Sequence, residues 1–158
     1  MKVVVAPDSF TGTLSAVEAA DAIARGWRRT APDDELVLVP LSDGGPGFVD
    51  VVHAALGGEL LRCTVHGPVG ARVEAAVLLV GSTAYVEVAQ ACGLHLVPVE
   101  LRDPRRTTTV GVADLLQVAL DEGATRIVVG LGGTGTTDAG AGMLAALGAT
   151  AYDADGVD

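Results

Sequence analysis

Short apolar runs alternate along this chain with longer stretches in which apolar residues recur at helical spacing. Lys2–Ala6 and Glu35–Val39 are β-branched runs of strand length. Between them Leu14, Val17, Ala20, Ala24 and Trp27 fall at helical intervals, and Ser15 with Glu18 forms a capping box. Pro32, Asp33 and Asp34 mark a turn. Pro46 suits the first turn of a second helix, which ends near Gly57 and Gly58. The pattern then changes. Glu59–His66, Arg72–Val80 and Thr83–Ala89 are apolar runs joined by Gly-Pro and Gly-Ser turns. Connections that short predict antiparallel neighbours. Helical spacing returns over Thr108–Glu122, with Gly123 as its stop. A strand at Arg126–Val129, a helix over Asp138–Leu147 and the start of a strand at Thr150–Tyr152 complete the expected elements. The predicted class is α/β: a parallel sheet with flanking helices and an antiparallel, β-rich excursion in the middle. The expected segments are 1–58 (α/β), 59–100 (the excursion, as part of a second lobe) and 101–158 (α/β).

Three of these strands run into loops of one character. They are Pro7–Thr13, Pro40–Gly47 and Gly130–Gly142, each with glycine, an aspartate and hydroxyl groups. Ligands of open α/β sheets collect at the carboxyl ends of strands. Glycine lets a ligand approach the backbone, and a helix start presents N–H groups to an anion. The candidate ligand contacts are therefore Ser9, Gly12, Gly44, Gly45, Gly132, Gly133, Thr134 and Thr136, and the candidate acids are Asp8, Asp43 and Asp138. Each acid also has an ordinary structural role. Asp138 stands at a predicted helix start, where Asp is a favoured cap. Asp43 precedes Gly44 as in a common turn, and Asp8 follows Pro7 as in an Asx-turn.

Composition narrows the options. The formal net charge is −10, and Arg102, Arg105 and Arg106 form a dense basic cluster. Nucleic acid is excluded as an expected partner. Arg105 is the candidate from that cluster for gripping a carboxylate or phosphate, against the alternative of a solvated surface. Hydrophobic residues make up 49% of the chain and aromatics only 3%, so the core must be built from Val, Leu and Ala. Cys63 and Cys92 show neither disulfide nor metal spacing. Glu87, inside the apolar run Tyr85–Ala89, points either to solvent or into a cleft. His53, His66 and His95 share no spacing. The N-terminal apolar run is too short for a signal peptide and no apolar stretch reaches membrane-spanning length, so the expected location is cytoplasmic and no membrane partner is expected.

The three loops together carry a resemblance. Pro-Asp-Ser-Phe-x-Gly-x-Leu-Ser-Ala over 7–16, Asp-Gly-Gly-x-Gly over 43–47 and Gly-Leu-Gly-Gly-x-x-Thr-x-Asp-x-Gly-Ala-Gly-Met over 130–143 resemble the bacterial-type, ATP-dependent glycerate kinases. Weaker similarities are Val86–Leu94, Arg102-Asp-Pro and Thr107–Gly111. The match follows the family's order but covers only the front part of such a kinase. It implies transfer of the ATP γ-phosphoryl group to a hydroxyl of glycerate, with Mg2+ and a small hydroxy acid as substrate. It implies Asp138, Asp43 and Asp8 as the catalytic set, with Asp43 or Asp138 as metal ligand. Net negative charge does not oppose ATP, because magnesium and local backbone N–H groups decide the field at the phosphates.

The departures carry as much information. Thr11 stands where the family usually has Lys, and Pro46 where it has Glu. Thr134-Gly-Thr-Thr-Asp-Ala-Gly140 replaces Ser-Ala-Thr-Asn-Asp-Gly-Gly. Loss of a lysine beside a transferring phosphoryl group removes charge stabilisation, so a weak or inactive kinase is expected. Two further readings stay open. One is a degenerate or truncated kinase-like module, completed by a partner chain or a homodimer where the family's fold continues past Asp158. The other is a dinucleotide-binding domain, from the G-x-G-x-x-G pattern of Gly130–Gly135 with Asp153 as the ribose acid. The kinase reading alone accounts for all three loops, and it requires Asp8, Asp43 and Asp138 to converge on one cleft.

Overall fold

The computed structural model describes residues 1–152 and 156. β1 (Lys2–Val5) and β2 (Glu35–Leu38) pair in parallel across the connecting helix α1 (Ala16–Thr30). The Ser15–Glu18 capping box forms in full: the Ser15 hydroxyl accepts from the Glu18 N–H at 3.2 Å, and the Glu18 carboxylate accepts from the Ser15 N–H at 2.8 Å. The buried face of α1 is Ala16, Ala19, Ala20 and Ala24, whereas Leu14 and Trp27 stay exposed. Small side chains let the helix sit close to the sheet. Trp27 is instead tethered by its indole N–H, which donates to Asp34 at 3.0 Å.

α2 (Phe48–Leu56) follows β2 and begins two residues after Pro46. β3 (Glu59–His66), β4 (Arg72–Val80) and β5 (Thr83–Glu87) are antiparallel neighbours, as their short connections require. α3 (Ala89–Cys92), two 3-10 turns (Leu94–Leu96 and Val99–Leu101) and α4 (Val110–Asp121) form the crossover to β6 (Arg126–Gly130). β6 pairs in parallel with β5, so the four-stranded sheet runs β3-β4-β5-β6. Residues 59–87 therefore lie in one sheet with the strand that feeds the glycine-rich loop. Among the described residues, parallel pairing is confined to β1–β2 and β5–β6.

Several element bounds differ from the expected ones. β5 stops at Glu87, and Ala89 turns into α3. α5 is Ala141–Ala146, starting three residues beyond Asp138. Thr150–Tyr152 is irregular and starts no strand; nothing in the sheet offers it a partner among the described residues.

The core lies between β3-β4-β5 and the pair α3 and α4. Val65, Val77, Val86, Cys92, Val112 and Leu115 are its centre. Burial pushes the Cys92 thiol up, with nearby Asp138 acting in the same direction against a Thr136 hydrogen bond. That environment makes it an inert packing residue. α4 can approach the end of β3 only because position 111 has no side chain: a Cβ there would collide with the His66 carbonyl oxygen and lie 3.2 Å from the Ala91 Cβ. Gly111→Ala is expected to cost about 2–3 kcal/mol through overpacking. Urea unfolding should show this as a lower midpoint at unchanged slope.

Candidate functional site

The loop after β1 is a closed knuckle. The Phe10 N–H donates to Leu14 O at 2.9 Å, the Leu14 N–H returns to Phe10 O at 3.1 Å, and Gly12 takes φ +75° between them. Asp8 opens it, its Oδ1 accepting from the Ser9 N–H at 2.6 Å. The loop after β2 is a double turn. The Ser42 hydroxyl accepts from the Gly44 N–H at 3.1 Å, and Asp43 Oδ1 accepts from the Gly45 N–H at 2.9 Å. Asp8 and Asp43 both have ordinary turn roles, yet each uses only Oδ1 for it. No hydrogen bond reaches either Oδ2 among the described residues.

The loop after β6 packs closely on the second of these, mostly backbone against backbone. A Cβ on Gly132 would lie 2.7 Å from the Gly45 Cα, and one on Gly133 would lie 2.7 Å from the Pro46 ring. Gly44 meets the Leu131 N–H in the same way, at 3.2 Å. On its other side the loop is pinned by the segment after α3. The Leu94 N–H donates to Gly133 O at 2.9 Å, and the Gly135 N–H to Cys92 O at 2.8 Å.

These loops enclose an open cleft of about 810 Å³. Asp8, Ser9, Thr11 and Gly12 line it from the first loop, Asp43, Gly45 and Pro46 from the second, and Gly133 from the third. His95 and Arg102 close the remaining side. The structure thus brings Asp8, Ser9, Gly12, Asp43, Gly45 and Gly133 together. Gly44 and Gly132 form the contact between the loops. Thr134 and Thr136 line a neighbouring cavity of about 240 Å³. His95 has no motif to announce it, and Arg102 was hidden among three arginines of which Arg105 was expected to serve. Arg105 is instead folded onto Asp103, with Nε–Oδ1 and Nη2–Oδ2 both at 2.9 Å, and lines none of these cavities.

Asp138 lies apart from the cleft wall. Its Oδ2 accepts from the Thr109 N–H at 2.9 Å, the Thr109 hydroxyl at 2.8 Å and the Gly142 N–H at 3.1 Å, and its Oδ1 accepts from the Gly140 N–H at 3.2 Å. The Thr109 hydroxyl in turn accepts from the Met143 N–H at 3.1 Å. The N–H groups at the start of α5, expected to face an anion, are thus held by the chain's own side chains. This carboxylate latches α5 to the start of α4. Ala139 adopts φ +51°, a left-handed conformation in which Cβ is strained. It occupies a position where the resembled motif has glycine.

Helix α5 starts at Ala141, six residues past the last glycine of the G-x-G-x-x-G pattern. A dinucleotide fingerprint needs the helix to open on those glycines, so that reading loses its geometry. Its ribose acid, Asp153, lies outside the described residues.

A profile of the glycerate kinase family matches residues 3–158. The chain belongs to that family. It is 48% identical to the glycerate 2-kinase of Escherichia coli strain K12 over 99% of its own length and 42% of the relative's. It is 46% identical to the glycerate kinase of Bacillus subtilis strain 168 over 99% of its own length and 41% of the relative's. The crystal structure of a glycerate kinase 2 from Salmonella typhimurium LT2 superposes with a TM-score of 0.80 at 46% identity, over all of this chain and 43% of that one. The chain therefore spans about two-fifths of the length of these glycerate kinases.

Burial pushes the Asp138 carboxyl upward, but the hydrogen bonds from Thr109, Gly142 and Gly140 outweigh it and leave it below the ordinary carboxylate range. A depressed folded value means that the stabilisation is full above the unfolded value and is lost as pH falls through the folded one. Asp138→Asn is therefore expected to cost about 1–3 kcal/mol at neutral pH. The gap from the parent chain should close as pH falls below about 4. Denaturant titrations of both chains across that range measure it.

Proposed function

We propose that the cleft transfers the γ-phosphoryl group of ATP to a hydroxyl of glycerate. The observation that carries this reading is that Asp8, Ser9, Asp43 and Gly133 line one cleft in a chain of the glycerate kinase family. Two carboxylates that line this cleft each keep one oxygen without a hydrogen bond among the described residues. One of them orients the substrate hydroxyl and accepts that proton as the phosphoryl group transfers. Gly45 and Gly133 offer backbone with no side chain of their own to phosphate oxygens.

Magnesium fits this donor set. Among the described residues no group of three or more His, Cys, Asp and Glu forms a cage. Mg2+ seldom uses one; it takes one or two carboxylates, waters and the substrate phosphates. Asp8 and Asp43 would hold it, and bound there it would neutralise charge on the transferring phosphoryl group. Asp138 acts at a distance in this scheme, as the residue that holds the glycine-rich loop against α4. Among the described residues no helix is long and apolar enough to cross a membrane, and we assign the reaction to the cytoplasm.

Asp43→Asn is expected to lower kcat on the order of a hundredfold or more, with the fold retained. ADP release coupled to a colour reaction, with glycerate and Mg-ATP, reads it; unchanged turnover would sink the assignment. Thr11 faces the cleft at the place where the family usually has Lys. Thr11→Lys should tighten ATP binding by up to about fivefold, the worth of one exposed ion pair. Titration with Mg-ATP would show it. No gain would mean that the missing charge is already supplied elsewhere in the cleft.

A further inference from the structure

The cleft contains a cation that neither the turns nor the acids use. The Arg102 Nε donates to the Val97 carbonyl at 3.3 Å, which fixes the inner edge of the guanidinium. No hydrogen bond or ion pair engages its Nη1 or Nη2 among the described residues. Its sequence neighbour Asp103 would be the natural partner, but Arg105 occupies both oxygens of that carboxylate. The Arg105–Asp103 pair thus leaves Arg102 unneutralised. Arg102 borders both the main cleft and the cavity lined by Thr134 and Thr136. Arg106 borders neither of them.

We infer that Arg102 is the specificity residue for the substrate, binding its carboxylate through the free edge of the guanidinium. This rests on the phosphoryl-transfer reading above and adds the group that selects the acceptor. A planar guanidinium held at one edge matches a carboxylate with two parallel N–H···O bonds, which a lysine cannot do. The same cleft is lined by Asp8 and Asp43, which would repel that carboxylate and accept a hydroxyl proton. A hydroxy acid is therefore polarised across the cleft, with its anionic end at Arg102 and a hydroxyl at the aspartates. An uncharged polyol lacks the first of these holds. The ATP phosphates are the competing anion. The glycine-loop backbone and magnesium would serve them, whereas Arg102 and His95, both exposed, are the basic side chains that line the cleft.

The test is calorimetric titration of the chain, of Arg102→Gln and of Arg102→Lys. Each is titrated with glycerate, with its neutral amide glyceramide, and with Mg-ATP. Arg102→Gln should weaken glycerate binding by at least about tenfold. Glyceramide and Mg-ATP binding should change by less than about twofold, and Arg102→Lys should recover part of the loss. Equal weakening of glycerate and glyceramide would assign Arg102 a merely structural role and overturn the inference. A loss confined to Mg-ATP would overturn it in favour of a phosphate contact. Unchanged glycerate binding in Arg102→Gln would overturn it while leaving the kinase reading intact. Failure of the unaltered chain to bind glycerate at all would overturn both.

Discussion

A buried carboxylate holds the two halves of this structure in register. Glu87 is only 4% exposed, and its Oε2 accepts from the Gly47 N–H at 3.1 Å and the Val49 N–H at 3.2 Å. Helix α2 has no side-chain cap of its own, because Gly47 occupies that position. The end of β5 thus supplies the cap from across the molecule. Burying a carboxylate costs several kcal/mol, offset here by two N–H donors and the positive end of the helix dipole. Glu87 also stands beside Gly130 in the parallel register of β5 and β6. One residue therefore sets the second loop, through α2, against the third, through β6. The geometry of the cleft follows from that junction.

From it the chemistry divides into layers. The floor is largely main chain, where Gly44, Gly45 and Gly132 make the loops touch without side chains and Gly133 sits against the Pro46 ring. Behind it, Asp138 and Thr109 lock α5 and the glycine-rich loop to α4. In front, Asp8 and Asp43 each spend one oxygen on a turn and present the other. The same residue type is thus structural at 138 and available at 8 and 43. The difference lies in how many local N–H groups compete for the carboxylate.

The elements that could be read from sequence were those set by local rules. The capping box at Ser15 and Glu18, the short turns of 59–87 and the glycine stop after α4 all act over a few residues. The strand-end loops were legible because glycine, aspartate and hydroxyl groups recur in each. What escaped was decided by partners far along the chain. Glu87 reads as either exposed or in a cleft until α2 is seen forty residues earlier in the chain. Asp138 looks like the end cap of a helix and a cleft acid, and becomes a latch only when Thr109 is beside it. Choosing among Arg102, Arg105 and Arg106 required knowing which of them Asp103 would capture.

The main-chain floor has a consequence for how such a cleft can diverge. Adding a methyl group at Gly132 or Gly133 would drive the loops apart, so these positions offer no route to a new preference. The residues free to vary without disturbing the floor are those at the rim, among them Thr11, His95 and Arg102. Natural drift, or a directed-evolution library, would change what the cleft accepts from those few positions. Such a scaffold tolerates change at its edge while its main-chain frame stays unchanged.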